Sequence, residues 1–315
     1  MRPFESNLAD LMEAFIAYRV SLGYSGTHLR TYLRHLDRYV MAHPREEMTP
    51  LYFLKFKAAL LYAPKTVNGI VGTARAFFDY LQRLEIVPEN PLNDIPRSRP
   101  ETFIPYIFSE KETEGLLASA KGRIRPTGDH FFMDLERYMI LLLLARCGLR
   151  ISEPLRLNID DYRREEGTIH IRKTKFKKSR IIPLPRSLAT ALDGYLSVRK
   201  QLGPNGPILF PGNRCKNVSA QIVRSFFNRS LGPHPPERRL GSIRFGKPTP
   251  HSLRHSFAVN TLKAIRDRGG SPRHALPILS VYMGHSHYTY TAVYLKVLDA
   301  DNRNALFDLA RKTPL

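Results

Sequence analysis

Three separated groups of residues in this chain have the chemistry of a phosphate site. Arg150 lies in Cys147-Gly148-Leu149-Arg150-Ile151-Ser152-Glu153, where Gly148 can end one helix, Ser152 can cap the next and Pro154 suits its first turn. A guanidinium held in so tight a link presents a planar pair of donors to phosphate, although a surface or capping arginine is the plainer alternative. In Thr249-Pro250-His251-Ser252-Leu253-Arg254-His255, Thr249 as cap and Pro250 as first helical residue place His251 and Arg254 at i,i+3, on one face at the positive end of a helix. Imidazole and guanidinium can then address one phosphate together. The third group runs from Tyr282 to Tyr294 and holds Gly284 and His285. On one unbroken helix His285 and Tyr294 would lie on opposite faces, about 13.5 Å apart along the axis. They converge only if the chain turns between them, which Gly284 permits and Thr289 or Thr291 could follow with a new helix cap. Simple packing is the alternative role for a lone tyrosine.

His251, His255, His274, His285 and His287 raise the question of a metal. No carboxylate or thiolate accompanies them at usual ligand spacing, and the adjoining arginines would repel a cation, so phosphate is the better-matched ligand. Cys147 and Cys215 are the two cysteines, too few for a disulfide framework or a four-thiolate site, and read as inert thiols.

These groups need a scaffold. The stretch from Pro88-Glu89-Asn90-Pro91 through Pro96 and Pro100 to Pro105 suits neither helix nor central strand and reads as a linker. Before it, helices are expected at about 6–22, 26–42, 49–61 and 64–85, forming one small bundle; Leu29, Tyr32, Leu33, Leu36 and Val40 recur at helical spacing. Arg30, Arg34 and Arg38 line one side of the second helix, where they could follow a phosphate backbone or simply form a solvated face. After the linker, 109–120 and 131–146 read as helices, the latter apolar enough to be buried on most sides. Thr168-Ile169-His170-Ile171 and Arg180-Ile181-Ile182-Pro183-Leu184 flank the basic run 172–179 and suggest a hairpin with a basic tip. Helices follow at 186–200, 218–231 and 250–266, with a Pro/Gly-rich basic loop over 232–250.

The 315 residues carry 49 Lys+Arg against 28 Asp+Glu, a net charge of +21 in a chain of globular composition, which points first to nucleic acid and second to acidic membrane surfaces. Residues 1–100 hold 13 basic and 10 acidic side chains, so the surplus belongs mainly to the second part. The strongly apolar run Tyr138–Ala145 lies between Arg137 and Arg146 and falls far short of the roughly 20 residues that cross a bilayer. The N-terminal stretch lacks a signal-peptide core, so a cytoplasmic, nucleoid-associated protein is expected.

In this order and at these separations, the arginine link, the basic hairpin, His251-x-x-Arg254, Gly284-His285 and the following tyrosine resemble the tyrosine recombinase, or phage integrase, family, which includes the Xer recombinases and the integrases of mobile elements. The resemblance covers nearly the whole chain, because Ser25-Gly26-Thr27-His28-Leu29-Arg30-Thr31-Tyr32 is similar to the start of the second helix of that family's core-binding domain. It implies a mainly α fold with a small β-sheet: a helical, SAM-like core-binding domain over 1–87, a linker over 88–105 and an α+β catalytic domain over 106–315, together a C-shaped clamp on DNA.

Carried over by position, it implies Arg150, Lys175, His251, Arg254 and His285 as catalytic residues and Tyr294 as nucleophile, with Arg30, Arg34, Lys173, Lys177 and Lys178 as DNA contacts. Lys175 follows from counting back from Arg180 to the hairpin tip, and its neighbouring lysines are alternatives. Departures are mild: Cys147 stands where threonine is commoner, Pro154 follows Glu153, and Leu295-Lys296 replaces Thr-His. The implied reaction is site-specific strand cleavage and rejoining through a 3′-phosphotyrosyl intermediate and a Holliday junction. His251 would accept the tyrosine proton, Lys175 would supply the acid, and neither cofactor nor ATP is required. Integration, excision, transposition and chromosome-dimer resolution are all open as its purpose. Implied partners are duplex DNA carrying specific sites, a homotetramer on that DNA and accessory or sister recombinases, with no membrane. Residues 301–315, with Ala305, Leu306, Leu309 and Ala310 at helical spacing, would dock on a neighbouring protomer or form an ordinary intramolecular helix. A type IB topoisomerase and a non-catalytic DNA-binding regulator are the competing classes.

Overall fold

The computed structural model describes residues 3–99, 102–172, 179–212, 217–233, 238–240, 243–284, 291–292 and 294–295. The chain divides into two compact units, Met1–Thr102 and Phe103–Leu315.

The first unit is a bundle of α1 (Ala9–Ser21), α2 (Gly26–Ala42), α3 (Pro50–Ala59) and α4 (Pro64–Arg83). In α4 the buried residues Val67, Ile70, Val71, Ala74, Phe77, Phe78 and Leu81 keep the three- and four-residue spacing of one helical face. They meet Leu33 and Leu36 of α2, Met12 and Phe15 of α1 and Phe53 and Phe56 of α3 in one core. Asp37, buried in α2, accepts the main-chain N–H groups of Glu5 and Ser6 and so pins the N-terminal segment. The Pro-rich stretch is packed rather than loose along part of its length. Leu92 and Ile95 are buried in this same core, and the Arg75 guanidinium donates to both of their carbonyls.

The second unit is built around α6 (Gly128–Cys147). Every residue from Met139 to Ala145 is buried, because α5 (Glu110–Gly122), α7 (Arg186–Leu202), α8 (Ala220–Ser230) and α9 (Pro250–Asp267) all pack against it. A small antiparallel sheet takes the order β2 (Tyr162–Arg163), β3 (Thr168–Ile171), β4 (Arg180–Pro183). Its register pairs Ile169 with Ile182 and Ile171 with Arg180. The two-residue period of a strand sends Ile182 into the core and Ile181 outward, and places Arg180 on the inner side.

The expected hairpin is therefore present at its strands, while its tip, residues 173–178, lies outside the described residues. The 232–250 stretch is not all loop. It contains β5 (Arg238–Leu240) and β6 (Ile243–Phe245), which form a second sheet in the order β1-β6-β5 with β1 (Thr102–Ile104). A further helix, α10 (Pro272–Met283), follows α9 despite Pro277 in its interior.

Ser152 does not cap a helix after Gly148. Glu153 occupies the cap position of a single 3₁₀ turn, Pro154–Arg156, so the Arg150 link opens into a tight turn. Gly148 does end α6, with φ 58° in the left-handed region. A Cβ there would stand 2.4 Å from the Phe257 ring, so backbone and packing both require glycine. Gly148→Ala should cost about 1–2 kcal/mol in backbone strain and about 1–3 kcal/mol in overpacking. Urea unfolding of Gly148→Ala, Phe257→Ala and the double variant should show coupling of at least about 1 kcal/mol; additive costs would show that the ring is not the obstacle.

Candidate active site

Two helix ends assemble the site. Gly148 closes α6 and Gly284 closes α10 with φ 64°, and both left-handed turns leave main-chain carbonyls exposed at a C-terminal helix end, the negative end of its dipole. Arg254, on the first turns of α9, spans the two: its Nη1 donates to the Gly148 carbonyl at 2.6 Å and its Nη2 to the Met283 carbonyl at 2.5 Å. Its side chain is 1% exposed. Burial, then the neighbouring Arg150 charge, pull its pKa down to about 10, against the opposing pull of Glu153 and Tyr294.

Arg150 donates to the Gly284 carbonyl at 2.7 Å and to Glu153 Oε1 at 3.0 Å, while its own N–H is held by Glu153 Oε2 at 2.8 Å. Glu153 is buried and serves a second cation. Arg180, directed inward from β4, donates to both Glu153 oxygens at 3.0 and 2.9 Å, and its Nε donates to the Tyr282 carbonyl at 2.7 Å. A Cβ on Gly284 would stand 2.8 Å from Arg180, so this glycine also makes room for the guanidinium. Burial pushes the Glu153 carboxyl up, but hydrogen bonds and charge from Arg180, with further help from Arg150 and Arg254, outweigh it and hold the group below the usual carboxylate range.

Tyr294 completes the cluster. Thr291, Ala292, Tyr294 and Leu295 are helical, so the chain does re-enter a helix after Gly284. The Tyr294 side chain is buried at 4% exposure, and its hydroxyl lies 3.0 Å from His255 Nδ1. Burial raises its pKa, while Arg254 and Arg150 draw it back down. His251 stands exposed at the start of α9 with its ring edge-on to His255, centroids 4.6 Å apart. Burial of its inner side, Arg254 and Arg150 lower its pKa and favour neutral imidazole.

Arg150, His251, Arg254 and Tyr294 thus meet in one place, although 144 positions separate the first from the last. Lys175, His285, Lys173, Lys177, Lys178 and Cys215 lie outside the described residues. Cys147 is buried and its thiol is pushed up to about 12 by burial, as an inert thiol should be. In the first unit Arg30 forms a bidentate pair with Glu13 and sits over the Phe4 ring, while Arg34 is half-buried and Arg38 exposed. Arg30 is in this state an internal ion-pair partner.

Sequence reasoning missed three participants, among them Glu153, which it quoted only as part of the arginine link. Arg180 looked like a strand residue, and only its register opposite Ile171 marks it as inward. His255 was grouped with possible metal ligands, although its spacing of four from His251 puts it on the same helical face.

Comparison with known proteins gives this geometry a family. The model of the phage integrase family matches residues 108–301. The chain is 31% identical to a putative integrase/recombinase, y4rE, of Sinorhizobium fredii, over 94% of this chain and 93% of that one. It is 28% identical to the tyrosine recombinase XerC of Herpetosiphon aurantiacus, over 96% and 95% of the two chains. Among solved structures, its fold is similar to a lambda integrase dimer bound to a COC′ core site, with a TM-score of 0.65 and 16% identity over 91% and 76% of the chains.

Glu153 is the one carboxylate shared by Arg150 and Arg180, and breaking a buried pair costs on the order of 3–5 kcal/mol. Glu153→Gln should therefore be destabilised by about 3 kcal/mol at pH 7. Because its pKa is depressed in the fold, the stabilisation is complete above the unfolded carboxyl range, about 4.3, and is lost as pH falls through the folded value. Urea unfolding from pH 7 to pH 3.5 should show the gap between wild type and Glu153→Gln closing at the acid end; a constant gap would remove the ionic role. From its residues, its fold and its relatives, the chain belongs to the phage integrase family, the tyrosine recombinases.

Proposed function

We propose that this protein cleaves one strand of duplex DNA at a specific site with Tyr294, holds the strand as a 3′-phosphotyrosyl ester and passes it to a partner duplex within a homotetramer, through a Holliday junction. The observation that carries the reading is the Tyr294 hydroxyl buried in one cluster with Arg150, Arg254 and a histidine pair.

The charges suit that reaction. Among the described residues, Arg150, Arg180 and Arg254 face a single carboxylate, Glu153, a surplus of two positive charges there. A phosphodiester brings one negative charge, and attack by a tyrosine oxygen adds a second as the phosphorus becomes five-coordinate. The surplus matches the transition state better than the ground state, and a single well-placed donor at such an oxyanion is worth on the order of 10²–10³ in rate. Arg180 acts at one remove, holding Glu153 and so Arg150. Tyrosine normally ionises near 10, so its proton must leave during attack. Lys175 would protonate the departing 5′-oxygen, His285 would add a hydrogen bond to the phosphate, and Arg30 and Arg34 with Lys173, Lys177 and Lys178 would track the backbone. The phosphotyrosyl ester conserves the energy of the broken bond, so rejoining needs no nucleotide. The relatives named integrase/recombinase and XerC, and a solved neighbour bound to a core site, support recombination over simple relaxation or regulation.

A duplex recovered by the protein from sheared genomic DNA, then nicked beside the candidate cleavage position, should trap a detergent-resistant adduct. Tyr294→Phe should give none, and Arg150→Ala or Arg254→Ala should slow adduct formation by about 10²–10³. Lower salt should strengthen binding by these variants without restoring cleavage, because ionic strength acts on the count of neutralised phosphates and not on the position of a donor. An adduct from Tyr294→Phe, or none from wild type on a site it binds, would overturn the proposal; plasmid relaxation without strand exchange would favour a topoisomerase.

A further inference from the structure

The hydroxyl that must lose its proton is already in contact with a base. We infer that His255, rather than His251, accepts the proton of Tyr294 during strand cleavage and returns it during rejoining; this rests on the cleavage reading above. His255 Nδ1 lies 3.0 Å from the Tyr294 oxygen, within the reach required of a general base. In the tautomer with hydrogen on Nε2, Nδ1 carries the lone pair and the tyrosine O–H donates to it. The contact is in the site and not beside it: the residue before His255 on α9 is Arg254, and both Arg254 and Arg150 are near enough to Tyr294 to favour its ionised form.

His251 stands one helical turn earlier, exposed, with its ring edge-on at 4.6 Å. The three rings therefore run from a buried hydroxyl, through half-buried His255, to the solvent-exposed rim. Among the described residues, the ionisable groups around this pair are His251 and Arg254 on α9, Arg150 and Glu153 in the link after α6, Arg180 on β4 and Tyr294 itself.

In the step, the Tyr294 O–H bond breaks and its proton passes to Nδ1 as the oxygen's electron pair forms the bond to phosphorus. The bond from phosphorus to the 5′-oxygen breaks, and that oxygen takes a proton from Lys175. In rejoining, a 5′-hydroxyl returns its proton to Lys175 as its oxygen bonds phosphorus, the ester bond breaks, and the tyrosine oxygen recovers the proton from Nδ1. No redox partner enters.

The test follows covalent adduct formation on the nicked duplex against pH, at protein concentrations that saturate binding. His255→Ala and His255→Gln should bind DNA like wild type and form adduct about 10²–10⁴-fold more slowly, the span of general base catalysis. The acid limb of the wild-type profile should vanish in both, and added imidazole should partly restore His255→Ala. His255→Asn keeps a hydrogen-bond acceptor near Nδ1 without a base, so it should stay slow; wild-type rate in this variant would reduce His255 to a positioning residue. A duplex with sulfur in place of the bridging 5′-oxygen no longer needs an acid. It should rescue Lys175→Ala and leave His255→Ala slow. Wild-type rates in His255→Ala and His255→Gln, rescue of His255→Ala by the sulfur substrate, or loss of the acid limb in His251→Ala with its retention in His255→Ala would each overturn the inference. If wild type itself forms no adduct, it is the cleavage reading that fails.

Discussion

The site depends on one buried cation held by main-chain oxygens. Arg254 is 1% exposed and accepts no carboxylate as a direct partner in its two described hydrogen bonds; the Gly148 and Met283 carbonyls take them instead. A carboxylate in direct contact would cancel that charge. Carbonyls at helix ends satisfy the guanidinium's donors and lend partial negative charge, yet leave nearly a full positive charge in a medium of low dielectric. The cost shows in the lowering of the Arg254 pKa to about 10. The two left-handed glycines are what make this possible, because each turns its helix end so that carbonyls face inward.

Glu153 regulates how much of that charge reaches the site. By binding Arg150 and Arg180 together it offsets one positive charge and holds both guanidiniums in place relative to α10, where they also donate to the Gly284 and Tyr282 carbonyls. Arg180 therefore ties the base of the hairpin to the same turn that carries Arg150. A shift of β4 would move Arg150 through one shared carboxylate.

Much of this was legible in the sequence, for reasons that differ by residue. Helix α2 spans Gly26–Ala42 as expected because its apolar positions repeat at 3.6 and glycine and histidine bound it. The hairpin strands and the Thr249-Pro250 helix start were equally plain, since β-branched runs and a Pro at the first helical position are local signals. Less legible were α10, whose Pro277 interrupts the expected donor pattern, and β5 and β6, three-residue strands inside a Pro/Gly-rich stretch. Arg180, Glu153 and His255 share another difficulty. Their roles arise from contacts 27, 27 and 39 residues distant, which no window of sequence encodes. Arg30 belongs to a regular basic stripe legible in the sequence, while its pairing with a glutamate on the neighbouring helix was not legible there.

The parts of the site are anchored to different depths. Arg150 and Arg254 come from segments fused to the large core around α6, with Leu149 and Leu253 both buried in it. Tyr294 instead packs in a small separate cluster with Ala258, Val259, Leu262, Leu276, Leu279 and Met283, between α9 and α10. Withdrawing the tyrosine would expose few apolar side chains, whereas moving either arginine would disturb the principal core, and segments with small buried contact areas are those that open at least cost. The two arginines are thus tied to the principal core, and the tyrosine is the group the fold can release. That difference follows from which core each residue joins.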